Sequence, residues 1–195
     1  GIPASADKVI LFAPTWQQDQ NNRNIFPFNS SAGMFFTALE QLCEKFSVSC
    51  VFRTHLNTQA ADSSSYNNIF YAPHAEFPDT EEVLLACDML VCDWSSIAFD
   101  YLLLDRPTVF LDVEAPFSKG FSLDENYRFC EVVESLDEMI AAIGMYVKSP
   151  QTYLAVHGER CAAVKQQLYD SNADGHSSAR CYERLERLVA GNADG

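Results

Sequence analysis

The sequence predicts a single α/β domain with a Rossmann-like parallel sheet flanked by helices. Short apolar segments that end in polar residues alternate with longer segments whose apolar residues recur at helical spacing. The chain has 195 residues, 48% hydrophobic and 21% charged, which suffices to bury one core. No repeat, linker or low-complexity tract divides it, so we expect residues 1–195 to form one domain, with residues 1–7 as a lead-in.

The strands are predicted from short apolar runs. Residues 8–13 are closed by Pro14 and have the continuous apolar character of a buried parallel strand. The same reasoning gives four further strands, at residues 49–53, 68–72, 89–92 and 108–112.

The helices are predicted from apolar spacing and from capping residues. Residues 32–46 follow Ser30 and Ser31, either of which is placed to cap the helix start. Asp79 opens a short acidic first turn, and Ser135 with Glu138 forms a capping-box pattern for a helix that ends near residue 147. The remaining predicted helices are residues 95–104, 150–169 and 177–190.

Composition excludes several classes of function. The net charge of −14 repels phosphate backbones, so we expect no nucleic-acid partner and no electrostatic docking onto anionic lipid. Neither a signal peptide nor a membrane span is evident, so we expect a cytoplasmic location, with any association at the inner face of the membrane being peripheral and indirect. The seven cysteines include no C-x-x-C pair, so we expect free thiols and no zinc site.

Four polar clusters follow predicted strands, at the edge where open parallel sheets bind ligands. They lie at residues 14–17, 53–55, 93–96 and 112–128. Ser95 and Ser96 open a predicted helix, and unpaired N–H groups with two hydroxyls suit a phosphate or diphosphate. The alternative interpretation is that one serine only caps the helix.

His55 and the segment after residue 169 are the other candidates. His55 follows Arg53 at a strand end, where an imidazole could donate a proton or a hydrogen bond to a leaving phosphate oxygen. The alternative is a loop histidine that binds backbone. Residues 170–180 are a turn leading into a capped helix; alone they indicate a helix–loop–helix connection, and their spacing excludes an EF-hand.

Six segments resemble, in order, the CDP-glycerol:poly(glycerophosphate) glycerophosphotransferases that build teichoic-acid-type polymers. Phe12-Ala-Pro-Thr-Trp16 is similar to the family's Y-A-P-T-W, Arg53-Thr-His55 to R-P-H-P, and Asp88-Met-Leu-Val-Cys-Asp93-Trp-Ser-Ser96 to D-x-L-I-T-D-Y-S-S. Phe99-Asp-Tyr101 with Arg106-Pro107 continues the third match, Lys119-Gly-Phe121 resembles R-G-Y, and Asp174-Gly175 with Ser178 and Arg180 resembles D-G-x-A-S-x-R.

The resemblance implies a GT-B transferase of two Rossmann-like halves, with this chain as the C-terminal, donor-binding half. It implies attack of an acceptor hydroxyl on the β-phosphate of CDP-glycerol, with CMP leaving. The sequence contains no evident carboxylate cluster of magnesium type, so we expect no metal and no cofactor besides the substrate nucleotide. The acceptor, a polymer or a lipid-linked molecule, would be bound through an N-terminal half that lies outside this sequence. We therefore expect this domain alone to bind donor without turnover.

The resemblance also assigns residues. His55 is the catalytic candidate, Ser95 and Ser96 hold donor phosphate, and Arg53 contacts the diphosphate. The remaining substrate-binding candidates come from the matched motifs and are Thr15, Asp93, Lys119, Gly120, Asp174, Gly175, Ser177 and Ser178.

The chain departs from the family pattern at three positions, and two other functions remain open. Leu56 replaces a proline, Trp94 a tyrosine, and Gln17 an arginine that would supply a phosphate cation. The first alternative is a GT-B glycosyltransferase that uses a CMP- or UDP-sugar. The second is a non-enzymatic interaction module of doubly wound type, which would need a phosphorylatable aspartate where the first strand instead ends in Ala-Pro-Thr-Trp.

Overall fold

The computed structural model describes residues 8–15, 26–53, 66–115 and 123–191. Six parallel strands form one sheet in the order β3-β2-β1-β4-β5-β6, and helices flank it. The predicted fold class is confirmed. The strands are β1 (Lys8–Ala13), β2 (Val48–Phe52), β3 (Ile69–Tyr71), β4 (Met89–Cys92), β5 (Thr108–Leu111) and β6 (Glu131–Val133).

The helices begin and end largely where the capping residues predict. They are α1 (Ala32–Phe46), α2 (Thr80–Ala86), α3 (Ile97–Leu102), α4 (Leu136–Lys148), α5 (Pro150–Tyr169) and α6 (Ser177–Gly191), with a single 3₁₀ turn at Glu125–Tyr127. The side chains of Ser31, Asp79 and Ser135 accept hydrogen bonds from backbone N–H groups three residues on, as N-caps do.

Two predictions about the elements are wrong. A sixth strand, β6, was not predicted, because it has three residues and begins with Glu131, which breaks the apolar run. Helix α3 has six residues instead of ten: Ser96 is its N-cap but makes no side-chain capping bond, and Asp105 adopts a positive φ that turns the chain toward β5. Strands β1 and β4 have the predicted bounds, β2 and β3 differ from prediction by one residue at each end, and β5 is one residue shorter.

The core lies on both faces of the sheet. On one face α1 packs against β2 and against α4, and the rings of Phe12, Phe35 and Phe52 pack together with centroids 4.8–6.3 Å apart. Helix α3 contacts β4 and β5, and the right-handed crossover rule for parallel strands assigns it to the opposite face. The hydroxyl of Tyr101 in α3 donates to the Cys87 carbonyl at 2.8 Å, which anchors α3 beside the start of β4.

Helix α6 differs from the other helices because one of its faces is apolar and exposed. Tyr182, Leu185, Leu188 and Val189 are 50–72% exposed. Across the helices of the described residues, none combines the length and apolar character that a membrane crossing requires.

Candidate functional site

The order of the strands reverses between β1 and β4, and this position defines the candidate site. From β1 the chain proceeds outward through β2 to β3, then returns to place β4 on the other side of β1. Ligands of open parallel sheets bind at such a switch point, beyond the carboxyl ends of the strands. Here the flanking loops begin at Pro14 after β1 and at Asp93 after β4.

Asp93 joins these two loops. Its Oδ1 accepts hydrogen bonds from the Thr15 backbone N–H at 2.8 Å, from the Thr15 hydroxyl, and from the Trp94 backbone N–H at 2.7 Å. Asp93 is 2% exposed, so its carboxylate is held inside the protein by N–H and O–H donors. The structure therefore brings Thr15 and Asp93, two of the predicted site residues, into direct contact, and it gives Asp93 the geometry of a residue that orients both loops.

Trp94 extends this connection to the loop after β5. Its indole Nε1 donates to the Val113 carbonyl at 2.8 Å, and the guanidinium carbon of Arg128 lies 4.0 Å from the centroid of its ring. Arg128 Nη1 in turn donates to Asp112 Oδ1 at 2.8 Å. Loops after β1, β4 and β5 are thus joined by one continuous set of contacts at the strand ends.

The charges of Asp93 and Arg128 affect the pKa of Cys92, the last residue of β4. Burial raises the pKa of the Cys92 thiol well above its ordinary value, and the Asp93 carboxylate raises it further. The Arg128 guanidinium acts in the opposite direction. Cys92 is therefore a neutral thiol in the core at physiological pH, and it is not a nucleophile for the site.

Ser95 and Ser96 lie at the rim of this arrangement. Ser95 is half-buried and Ser96 is exposed, so both are reachable from solvent and neither is enclosed in the core. The helix that they precede has only six residues, which gives it a small macrodipole. Hydroxyl and amide groups, more than the dipole of α3, are therefore what this turn offers an anion.

Arg53 points toward the loop before α2. Its backbone N–H donates to the Phe12 carbonyl at 2.9 Å, and its guanidinium donates to the Phe77 carbonyl at 2.9 Å and to Thr80 Oγ1 at 3.1 Å, with His74 Nδ1 3.4 Å away. Arg53 is buried, and this burial lowers the pKa of its guanidinium. These contacts make Arg53 the residue that holds residues 74–80 over the end of β2.

The segment from Asp174 to Arg180 forms a compact exposed turn. Arg180 Nη1 lies 2.8 Å from both carboxylate oxygens of Asp174, and Arg180 Nη2 donates to Ser177 Oγ at 3.0 Å. Gly175 has φ +78°, a value that L side chains rarely adopt. Ser178 is exposed beside Ser177 at the start of α6.

The end of α5 places this turn relative to α3. Lys165 pairs with Asp105 at 2.6 Å, and burial followed by the charge of Asp100 raises the pKa of Tyr169. The Lys165 pair joins α5 to Asp105, just after α3, and the chain passes from the end of α5 into the Asp174 turn.

Three predicted site residues, His55, Lys119 and Gly120, lie outside the described residues. Their roles stay predictions. Within the described ranges, no three His, Cys, Asp or Glu side chains gather closely enough to hold a metal ion.

Arg128 is the site residue that sequence reasoning missed. The cluster at residues 112–128 was recognised, but nothing in it distinguished this arginine from an ordinary surface residue. Its role depends on contact with the ring of Trp94, which lies 34 positions earlier in the chain and is brought close only by the fold.

The fold and the site define a Rossmann-type α/β domain, and its candidate site lies between the loops after β1 and β4, at the edge where sheets of this strand order bind ligands. The chain belongs to the CDP-Glycerol:Poly(glycerophosphate) glycerophosphotransferase family, whose model matches residues 1–187. The resemblance seen in the motifs is thereby confirmed.

One curated protein and two solved structures illustrate what the chain is similar to. The chain is 27% identical over 184 residues to a teichoic acid glycerol-phosphate transferase of Staphylococcus aureus (strain NCTC 8325 / PS 47), covering 91% of this chain and 45% of that protein. A structure of the wall teichoic acid polymerase TagF, from a variant soaked with CDPG, has a TM-score of 0.65 at 21% identity and matches 100% of this chain and 45% of its own. The Staphylococcus aureus MnaA–UDP co-structure has a TM-score of 0.56 at 14% identity and matches 95% of this chain and 47% of its own.

The chain spans less than half the length of each of these three proteins. The two solved structures, at these identities, show that the fold is shared.

Proposed function

We propose that this chain is the donor-binding domain of a GT-B transferase that moves glycerol phosphate from CDP-glycerol to a polymer or lipid-linked acceptor in teichoic-acid-type synthesis. The observation that carries the proposal is the contact between Thr15 and Asp93 at the switch point. Two motifs that match the glycerophosphotransferase family are joined there, at the position where this fold binds ligands.

The proposed reaction is a phosphoryl transfer. An acceptor hydroxyl oxygen forms a bond to the β-phosphorus of CDP-glycerol, the bond from that phosphorus to the CMP oxygen breaks, and the hydroxyl proton passes to a base on the acceptor side. Charge grows on the departing CMP phosphate, so donors aimed at that oxygen lower the barrier. Ser95 and Ser96 are the described residues whose position suits this role, and His55 is assigned to it by the resemblance.

Several features suit an anionic donor despite the net charge of −14. The backbone of the turn at residues 93–96 is tied down through Asp93 and through Trp94, so the positions from which its N–H groups and serine side chains project are set before a ligand arrives. Preorganised donors of this kind avoid the cost of ordering on binding. One of the matched structures is the wall teichoic acid polymerase TagF soaked with CDPG, which is consistent with a cytidine diphosphate donor.

The sugar-nucleotide alternative is kept because the MnaA–UDP structure shares the fold. It differs from our proposal in the group that is transferred and, for a UDP-sugar, also in the base that the site accepts. The two functions can therefore be distinguished by measuring which nucleotide donor this domain binds.

Calorimetry with CDP-glycerol, CMP, CMP-sialic acid and a UDP-sugar tests the proposal. We expect CDP-glycerol to bind most tightly, and Ser95→Ala and Ser96→Ala each to weaken it by about tenfold, the cost of about one charge-assisted hydrogen bond. His55→Ala should weaken CDP-glycerol binding as well, while its melting temperature stays near that of the parent.

Ser149→Ala is the matched control. Ser149 joins α4 to α5, makes no side-chain capping bond at the start of α5, and precedes Pro150, which lines a cavity of about 250 Å³ at the amino ends of β1 and β4. The Ser149→Ala variant should bind CDP-glycerol with the affinity of the parent. Tighter binding of the UDP-sugar than of CDP-glycerol would reject the proposal in favour of a glycosyltransferase.

A further inference from the structure

We propose that Arg128 is a positioning residue for the turn at residues 93–96, acting through Trp94. The inference rests on the proposed function of that turn as a donor-phosphate site. It assigns a role to a side chain that none of the family motifs described above contains.

The contacts of Arg128 are directed at a single part of the molecule. Its guanidinium covers one face of the Trp94 ring at 4.0 Å, its Nη1 pairs with Asp112 at 2.8 Å, and its Nη2 is 3.5 Å from the Leu111 carbonyl. The side chain is 9% exposed, so the stacked arrangement is largely shielded from water. Cation–π contacts strengthen when water is excluded, which favours one fixed arrangement of ring and guanidinium.

Trp94 is consequently held at three points. Its backbone N–H is bound by Asp93, its indole N–H by the Val113 carbonyl, and its ring face by Arg128. Val113 and Asp112 are neighbours in the loop after β5, so the indole and the guanidinium are bound to the same short stretch of chain. Loss of Arg128 would free the ring face and leave Asp112 without this partner.

The consequence falls on Ser95, the next residue. The direction of its hydroxyl and of its N–H depends on the backbone angles of the turn that Trp94 occupies. A displacement of about 1 Å is sufficient to lose much of the benefit of placed donors. Arg128 thus acts on the site without contacting the ligand itself.

Arginine suits this position better than lysine. A planar guanidinium can lie flat on the indole while one edge pairs with a carboxylate, whereas an ammonium is a point charge that cannot satisfy both contacts with the same geometry. Arg128→Lys therefore separates charge from shape, and Arg128→Gln removes the charge. Arg187→Gln is the matched control, since it removes the same charge from a side chain that is 73% exposed on α6 and makes only a 3.7 Å pair with Glu183.

Two measurements on the whole domain test the inference. Residue-resolved hydrogen exchange without nucleotide should show the Trp94 amide, which is bonded to Asp93, exchanging at least about tenfold faster in Arg128→Gln and in Arg128→Lys than in the parent, while Arg187→Gln leaves it unchanged. Calorimetry with CMP and CDP should show both Arg128 variants binding about tenfold more weakly, at a temperature where all variants are folded.

Each outcome decides something. Unchanged exchange in Arg128→Gln overturns the positioning role, whatever happens to binding. Faster exchange with unchanged nucleotide affinity shows that the turn is loosened but that its geometry is irrelevant to the ligand, which also overturns the inference. If the parent domain binds neither CMP nor CDP, the proposed function fails, while the exchange experiment still establishes whether Arg128 holds the turn.

Discussion

The Thr15 backbone amide donates to Asp93 Oδ1 across 2.8 Å, although the two residues are 78 positions apart in the chain. This bond ties the carboxyl end of β1 to that of β4 at the point where the strand order reverses. One buried carboxylate therefore determines the relative position of the two loops between which a ligand would lie.

Removing this carboxylate should destabilise the domain. Asp93→Ala removes a buried carboxylate that accepts from the half-buried N–H groups of Thr15 and Trp94, and we expect a loss of about 3 kcal/mol in the free energy of unfolding, measured with urea. Asp93→Asn retains an acceptor oxygen, so its loss should be smaller, about 1 kcal/mol.

Asp88 is the internal control for this prediction. It precedes β4 as Asp93 follows it, and its Oδ2 accepts the Val9 N–H at 2.9 Å, but it is exposed. Asp88→Ala should cost less than about 1 kcal/mol because water replaces the lost bond. Equal losses for the two alanine variants would contradict the importance that we give to Asp93.

Arg53 should contribute to stability before any nucleotide binds. Arg53→Lys replaces a fork that reaches both the Phe77 carbonyl and Thr80 Oγ1 with a single ammonium, so we expect the nucleotide-free domain to lose about 1–2 kcal/mol in thermal or urea unfolding. Thr80→Val removes one of these contacts only and should cost less.

The same variant separates two roles for Arg53. If it also contacts the donor diphosphate, as the resemblance implies, CDP affinity will fall in Arg53→Lys beyond the change seen in Thr80→Val. A nucleotide-free stability equal to that of the parent would show that the contacts with residues 77–80 contribute nothing.

The turn at Asp174 should open in acid. The hydrogen bond from Arg180, followed by that from the His176 N–H, lowers the pKa of Asp174. A carboxyl whose pKa is depressed in the folded state stabilises that state above its ordinary pKa of about 3.9, and this stabilisation is lost as the pH falls through the lower, folded value. The His176 amide, which donates to Asp174 Oδ1 at 2.9 Å, is the probe for an NMR titration.

Arg180→Gln tests the cause of that shift. Without the guanidinium, the midpoint of the His176 amide titration should move up toward the ordinary value for aspartate. An unchanged midpoint would mean that Arg180 does not set the pKa of Asp174.

Cys181 should be the thiol that reacts first in the native protein. Burial raises the pKa of Cys43 and of Cys87 to about 12, so neither supplies thiolate near neutral pH, whereas Cys181 is exposed on α6. Iodoacetamide at about pH 8 should label Cys181 rapidly, and Cys43 and Cys87 only on unfolding. Persistence of the fast phase in Cys181→Ser would contradict this.

Local signals in the sequence were sufficient for most of the fold. Continuous apolar character identified β1, and the capping residues Ser31 and Ser135 defined the starts of α1 and α4, because each signal is contained within a few residues. Strand β6 was not predicted because a strand of three residues is too short to show a periodic pattern.

The site was predictable only in part. Motif positions at the strand ends indicated Thr15, Asp93 and Ser95, but the bond between the first two depends on the order of strands, which no local pattern encodes. The direction of the Arg53 guanidinium and the stacking of Arg128 on Trp94 are likewise contacts between distant parts of the chain. Such contacts are decided by packing, which single-sequence reasoning does not reach.

The two outermost strands, β3 and β6, have three residues each. An edge this short offers a foreign β-strand very few free N–H and C=O groups, so the sheet is poorly suited to template intermolecular strand pairing. We expect the native domain to resist amyloid-type growth even at the concentrations that crystallisation or NMR requires.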